Sequence, residues 1–311
     1  MLKAAQRPPL VVLCGPTAAG KTDAALELAR HYPLEVVSAD SRQVYRLMDI
    51  GTAKPTREER VRVPHHLLDV VWPDQSFDAA RFSELATAVI DVIRGRDHLP
   101  VVVGGTGLYI RALTGGLVDL PGPDPVLRER LHQEAAAVGG AALHQRLAAI
   151  DPDAARLLHG NDVVRIVRAL EVFEQTGRPL SVWQREHGFR AGRYRLLKIG
   201  LAPERAELYR RIDTRAAAMF ASGLLEETAA LLAAGYAPQL KALQTIGYRE
   251  AVRLLHGECT RQEALAEVQQ ATRRYAKRQL TWFRADPEII WVDSLPDSGK
   301  ISKLMEQFHA G

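Results

Sequence analysis

Short apolar runs without polar alternation mark the first third of the chain: Leu10 to Cys14, Glu35 to Ser38 and Pro100 to Val103, each rich in valine or leucine. Parallel strands covered on both faces read this way, because neither face is left for polar residues. Between them, Thr22 to His31 and Phe77 to Arg94 carry helical patterns. Strand and helix in alternation predict βα units of a parallel α/β sheet. Two later runs, Tyr194 to Leu201 and Glu288 to Val292, predict strands that return to the same texture.

At Pro121 the texture changes. The PGPDP cluster breaks the chain, and the residues after it are rich in Ala, Leu, Arg and Glu with almost no β-branched runs. Helices are expected over Pro125 to Val138, Ala141 to Ile150 and Asp162 to Thr176, the last opening at Asn161 or Asp162 and closing at Gly177 before Pro179. Residues 121–193 therefore read as an all-helical insertion carried by an α/β core made of 1–120 and 194–311, with 204–285 again helical. No internal repeat or low-complexity tract interrupts this plan.

Composition narrows the class. At 47% hydrophobic and 25% charged over 311 residues, a disordered or fibrous chain is excluded. Cys14 and Cys259 are too few and too distant for a disulfide framework or a zinc ribbon, which points to a reducing, cytoplasmic setting. The first ten residues lack a signal-peptide core, and no run reaches the ~18 apolar residues of a membrane span, so no membrane partner is expected. The net charge of +4 is small, but it is unevenly placed: residues 1–120 carry 14 basic and 14 acidic side chains, 121–284 carry 25 and 18, and 285–311 carry 2 and 5. The middle surplus suits a polyanionic partner and equally suits a solvated helical face.

The first candidate chemistry lies where the first strand meets the first helix. Gly15, Pro16, Thr17, Ala18, Ala19, Gly20, Lys21 and Thr22 form a complete GxxxxGK[ST] phosphate loop. Its glycines let consecutive backbone N–H groups curl around a phosphate, the helix adds its positive end, Lys21 adds a point charge, and Thr22 adds a hydroxyl for a magnesium ion. The sheet is thereby of the P-loop NTPase-like type. The second strand ends in SADSRQVY, which brings Asp40 out on the same edge of the sheet. Asp40 has three readings there: a magnesium-holding carboxylate, a general base, or a helix cap without chemistry. The third strand ends in Gly104-Gly105-Thr106-Gly107 where many phosphate-loop hydrolases would have an acidic residue. That lowers the ATPase reading; the glycines suit close approach of backbone to a ligand, or simply start the next helix.

Taken together, GPTAAGKT at 15–22, SADSRQVYRLMDIGTAKPT at 38–56, PHHLLDV at 64–70, GGTGLYIRAL at 104–113, NDVVRIVRALEV at 161–172, LYRRIDTRAAAMFASGLLEE at 208–227 and LQTIGYREA at 243–251 resemble the tRNA dimethylallyltransferase (tRNA isopentenyltransferase) family. The resemblance covers most of the chain and implies transfer of a dimethylallyl group from dimethylallyl diphosphate to N6 of the adenosine at tRNA position 37. Magnesium would be the cofactor, and the anticodon stem-loop the macromolecular partner. By the same match Asp40 becomes the general base, with Thr106 beside it in the catalytic group. The phosphate loop, including Thr17 and Gly20 to Thr22, grips the donor diphosphate together with Arg215, while Arg211 either assists or is a surface ion-pair partner.

The resemblance further assigns Asp40, Ser41, Arg42, Gln43 and Thr106 to the target adenine and its RNA. It assigns Val164, Arg165, Ile166, Val167 and Arg168 in the insertion, and Lys241, Gln244, Gly247 and Tyr248 later, to backbone or stacking contacts. Val164 stands where the family usually has glutamine, so an amide contact there is not expected. Arg273, Arg274, Lys277 and Arg278 form a basic stripe ahead of Trp282 and Phe283, suited to RNA phosphates or to solvent above a core anchor. His65 and His66 lack a matching ligand cluster and are expected to be structural. A zinc finger like that of eukaryotic relatives cannot be built from two cysteines, so the bacterial type is expected; the protein is expected to be a monomer. The alternatives are an adenylate isopentenyltransferase, which would prenylate a free nucleotide, a phosphate-loop small-molecule kinase, and a non-catalytic RNA-binding module.

Overall fold

The computed structural model describes residues 7–188, 192–293 and 298–310. It separates into two compact units, Met1–Thr114 with Gly192–Gly311, and Gly115–Ala191. In the first unit, β1 (Pro9–Cys14), β2 (Leu34–Ser38), β3 (His65–His66), β4 (Leu99–Gly104), β5 (Arg195–Leu201) and β6 (Ile289–Val292) form one parallel sheet. Their order is β3-β2-β4-β1-β5-β6. The five expected strands are present, within one residue at most ends. β3 is the sixth, and at two residues it is too short to show a period.

The order places β1 at the centre, flanked by β4 and β5. Cys14 is level with Gly104 on one side and Gly200 on the other. Ser38, at the end of β2, is level with Val103. The loops that follow β1, β2 and β4 therefore leave the same edge side by side, as the carboxyl ends of parallel strands must. Burial explains the unalternated sequence: Leu10, Val11, Val12, Leu13, Val36, Val37, Val101 and Val102 are all at most 1% exposed. α1 (Lys21–Leu28) covers one face through Ala24, Ala25 and Leu28, joined by Ile301 and Met305 of the C-terminal helix at Ser298–Ala310.

His65 and His66 are structural. His65 Nδ1 lies 2.7 Å from the Val63 carbonyl, and His66 Nε2 lies 2.6 Å from the buried Glu35 carboxylate, which His98 and Arg96 also contact. Among the described residues no group of three or more His, Cys, Asp or Glu side chains could hold a metal ion. No single helix there is long and apolar enough to cross a membrane.

The second unit contains helices at Pro125–Val138, Gly140–Ile150, Pro152–Leu157, Val163–Thr176 and Leu180–His187. Three were expected; Pro152–Leu157 and Leu180–His187 were not, being too short to show a clear stripe. Asp124 caps the first with Pro125 at its first position, and Asp162 caps the fourth, which ends on the left-handed Gly177. The unit's core is Leu131, Leu143, Leu147, Ile166, Val167 and Leu170.

Glu171 is fully buried in this unit and accepts from the Asp124 N–H at 2.9 Å, Arg128 at 2.7 Å and Arg168 at 2.8 Å. Burial alone would raise its carboxyl; the arginine and amide hydrogen bonds outweigh burial and hold it below the ordinary glutamate value. Glu171→Gln should destabilise the protein by about 1–3 kcal/mol in denaturant unfolding, because both arginines lose their charged acceptor while remaining partly solvated. The wild-type contribution should be present above pH ~4.5 and fade as pH falls through the lower folded value.

Candidate functional site

The loop after β1 is held in shape by the sheet. Gly15 lies at φ 140°, and a Cβ there would stand 2.4 Å from the Leu201 carbonyl oxygen. Gly20 at φ 88° starts α1 without a side-chain cap. The first N–H groups of a helix have no intrahelical partner, so this terminus is open to an anion. Ala18, Ala19, Gly20, Lys21 and Thr22 line a cavity of about 410 Å³ together with Thr17, Asp40, Gln43 and Arg215. All nine were singled out from sequence, and Gly104, Gly105 and Arg211 line the same cavity.

Two cations dominate it. Lys21 Nζ folds over its own loop and donates to the carbonyls of Gly15 at 3.1 Å and Pro16 at 2.7 Å. Burial lowers the Lys21 ammonium to about 8, opposed by the negative charge of Asp40 and reinforced by Arg215. Arg215, on the helix Arg205–Ala221 (α10), donates to Thr17 Oγ1 and is likewise lowered by burial against the pull of Asp40. Both side chains are cationic groups that their surroundings solvate incompletely, which is the electrostatic signature of an anion site. Arg211 lines the cavity and also pairs with Glu207 at 2.6 Å. Gly15 and Pro16 contribute carbonyls that anchor Lys21 and do not line the cavity. Thr17 lines it, but its N–H is engaged by Gln279 at 2.8 Å and that of Ala19 by the Pro16 carbonyl at 3.3 Å, so the phosphate-facing amides are those of Ala18 and of Gly20 to Thr22.

Asp40 uses one oxygen locally. Oδ1 accepts from the N–H groups of Arg42 at 2.8 Å and Gln43 at 3.3 Å, while Oδ2 has no hydrogen-bond partner among the described residues. No helix follows Asp40, so the cap reading becomes a turn held by one oxygen, and the base reading is left to the other. Thr106 Oγ1 accepts from the Ser41 N–H at 3.0 Å, and the Thr106 N–H donates to the Ala39 carbonyl, joining the loops after β2 and β4. Gly104 permits this approach: a Cβ there would lie 2.1 Å from the Ala39 oxygen. Gln43 does not fit the role of adenine reader. Its Nε2 donates to the carbonyls of Thr52 and Ala53, and its Oε1 accepts from Ser38.

The segment from Tyr45 to Lys54 is pinned from behind. Glu227, on the helix Leu224–Ala233 (α11), accepts from the N–H groups of Asp49, Ile50 and Gly51. The Tyr248 hydroxyl also donates to Glu227. Tyr248 is fully buried, with Gly51 against its ring, so the expected stacking contact is corrected to a strut behind the loop. Gly247 is buried at φ 99°, and its N–H donates to Glu250. Lys241 and Gln244 are exposed, the former lending its carbonyl to Arg42 Nη1 at 3.2 Å.

In the second unit Val164 and Arg165 are exposed, with Arg165 loosely paired to Asp162. Ile166 and Val167 are corrected to core residues, as their place in the apolar stripe of the helix requires. Arg168 is held by Glu171 and by the Pro121 carbonyl at 2.9 Å, which makes it a brace for the unit.

Three polar lining residues lie outside the motifs read from the sequence: Asp23, and Tyr275 and Gln279 of the helix Arg261–Arg284 (α13). Burial raises the Asp23 carboxyl, with Glu59 adding to the rise and Arg211 opposing it. Burial and the nearby Asp40 charge push the Tyr275 phenol up to about 12. The readable signal was position: Tyr275 and Gln279 are four apart on α13, and Gln279 interrupts a stripe whose neighbours Ala276 and Phe283 are buried. Of the basic stripe on α13, Arg273 pairs with Asp213, whereas Arg274, Lys277 and Arg278 are exposed. Phe283 is the core anchor; Trp282 is 40% exposed beneath Arg111.

Comparison with known proteins places this geometry. The IPP transferase model matches residues 43–286, and an isopentenyl transferase model matches residues 8–72. The chain is 53% identical to tRNA dimethylallyltransferase 1 of Syntrophotalea carbinolica, over 97% of this chain and 96% of that protein. It is also 53% identical to the tRNA dimethylallyltransferase of Geobacter sulfurreducens, over 98% of each. Among solved structures, the full-length tRNA isopentenylpyrophosphate transferase of Bacillus halodurans is similar with a TM-score of 0.70 and 40% identity, covering 98% of this chain and 99% of that one. A eukaryotic dimethylallyltransferase acting on tRNA is similar with a TM-score of 0.78 and 27% identity, covering 92% and 74%.

Proposed function

The chain belongs to the IPP transferase family, and on that premise we propose that it moves a dimethylallyl group from dimethylallyl diphosphate to N6 of the adenosine at tRNA position 37, releasing diphosphate. The observation that carries this reading is the placement of two incompletely solvated cations, an open helix N-terminus and a half-free carboxylate around one cavity. The diphosphate sits on the amides of Ala18 and of Gly20 to Thr22, with Lys21 and Arg215 on its oxygens. As the bond from C1 to the diphosphate oxygen breaks, charge grows on the leaving group, where these fixed cations stabilise it. N6 bonds to C1, and Asp40 Oδ2 accepts the proton that N6 loses. The carboxylate must be reached by an unstacked base, so the adenine is flipped out of the anticodon loop.

Magnesium fits the donor set. Such an ion is held by one or two carboxylates and the substrate's own phosphates, and the Thr22 hydroxyl with Asp23 supplies that much. When bound it would neutralise part of the leaving-group charge. The Gly104-Gly105 strand end supplies no carboxylate, which argues against a kinase. Arg165 in the helical unit, and Arg274, Lys277 and Arg278 on α13, are the exposed cations suited to RNA phosphates. We read the enzyme as a cytoplasmic monomer, and light scattering of the purified protein tests the second part.

Labelled dimethylallyl diphosphate should transfer its label to tRNA and not to AMP; label in AMP alone would replace this reading with the free-nucleotide one. Affinity for tRNA should fall with salt at a log–log slope of roughly −0.7 to −0.9 per phosphate contacted. A flat response would remove the proposed basic contacts.

A further inference from the structure

Gln279 is 6% exposed, and both ends of its amide are engaged. Oε1 accepts from the Thr17 N–H at 2.8 Å, and Nε2 donates to the Gly105 carbonyl at 2.9 Å. Thr17 presents a donor and Gly105 an acceptor, so the position requires one acceptor and one donor on the same short arm. A carboxylate offers two acceptors, and a thioether offers no comparable partner. Gly105 is shaped to this contact: a Cβ there would stand 2.2 Å from Gln279 Nε2.

The two residues that Gln279 joins belong to opposite halves of the reaction. Thr17 holds Arg215 through its hydroxyl, on the diphosphate side. Gly105 leads to Thr106, whose Oγ1 takes the Ser41 N–H next to Asp40, on the acceptor side. α13 is itself tied by Arg273 to Asp213 of α10, the helix that carries Arg215. A path of hydrogen bonds joined by the backbone at Thr17, Gly105–Thr106 and Asp40–Ser41 therefore runs from Arg215 to Asp40, and Gln279 is its central link.

We propose that Gln279 is a positioning residue that sets the distance between the diphosphate loop and the acceptor loop. The inference rests on the prenyl-transfer reading. Transfer requires C1 to lie in line between the departing oxygen and N6 at roughly 3–3.5 Å, and a misplacement near 1 Å costs about 10²-fold. Each substrate is held by its own loop, so binding does not depend on the link in the same way.

Gln279→Met should lower the single-turnover rate of transfer to tRNA by about 10- to 100-fold, with dissociation constants for dimethylallyl diphosphate and for tRNA within about threefold of wild type. Misaligned donor should also be lost to water: the bond from C1 to the diphosphate oxygen breaks, a water oxygen bonds to C1, and dimethylallyl alcohol, a proton and diphosphate result. The ratio of alcohol to prenylated tRNA should therefore rise, a change that a merely structural residue would not produce. Gln279→Glu preserves size and the Thr17 contact but sets a carboxylate against the Gly105 carbonyl, and should show the same split. Melting temperature is recorded for both variants, and the Glu variant is the one read if the Met variant does not fold. Transfer within threefold of wild type, or a loss accompanied by weaker binding at an unchanged product ratio, overturns the proposal. If wild-type protein fails to prenylate tRNA, the functional reading fails first, and this outcome is separate.

Discussion

Asp40→Asn is expected to lower turnover by about 10² to 10⁴ while leaving tRNA and donor affinity near wild type. Asparagine is the informative replacement because the turn contacts and the proposed base role of Asp40 fall on different oxygens. Its side-chain carbonyl can still accept from the Arg42 and Gln43 N–H groups, as Oδ1 does now, so the turn after β2 survives. The second carboxylate oxygen becomes an NH₂, which cannot take a proton from N6. Asp40→Ala would remove both functions and mix a loosened turn with a lost base. Single-turnover measurement with labelled donor, beside filter binding of tRNA, separates rate from affinity. Turnover close to wild type in the asparagine variant would return Asp40 to the role of a loop cap.

That division of labour within one side chain was beyond the sequence, although its location was not. Valine-rich runs ending in GPTAAGKT, SADS and GGTG announced three parallel strands whose carboxyl ends carry the chemistry, because unalternated apolar runs can only be buried strands in such an arrangement. The shared edge follows from that, whereas the order β3-β2-β4-β1-β5-β6 does not. What the pattern could not give is who engages whom across the chain. The resemblance makes Thr17 a phosphate ligand, yet its N–H answers to Gln279, 262 positions away. Tyr248 reads as a stacking aromatic, and is instead the buried partner of Glu227 behind the Asp49–Gly51 turn. Ile166, Val167 and Arg168 stand in a stretch matched to RNA contact, but helical geometry sends the first two into a core and the third onto Glu171. In each case a motif marks a segment, while the 3.6-residue period decides which of its side chains face outward.

Lys21→Met is expected to cost about 10² to 10³ in donor turnover, the range typical for removing one preorganised charge-stabilising group, and at the same time to raise the melting temperature of the ligand-free protein. The two effects share a cause. Burial brings the Lys21 ammonium to about 8 from 10.5, so the folded state binds its proton less well than the unfolded chain does. Below pH 8 both states are protonated, and the fold carries the full cost of the enclosed charge. As pH rises from 8 toward 10.5 the folded state sheds that proton first and the cost is relieved. Methionine removes the charge and the cost at pH 7, but leaves the diphosphate without its nearest cation. Donor binding reverses the sign: an anion raises the Lys21 value, so affinity should be flat below pH 8 and fall by up to tenfold per pH unit above it. The variant's donor affinity should lack that alkaline limb. A variant that melts lower than wild type, or whose affinity keeps the limb, would move the titrating cation away from Lys21 and leave Arg215 to hold the leaving group alone.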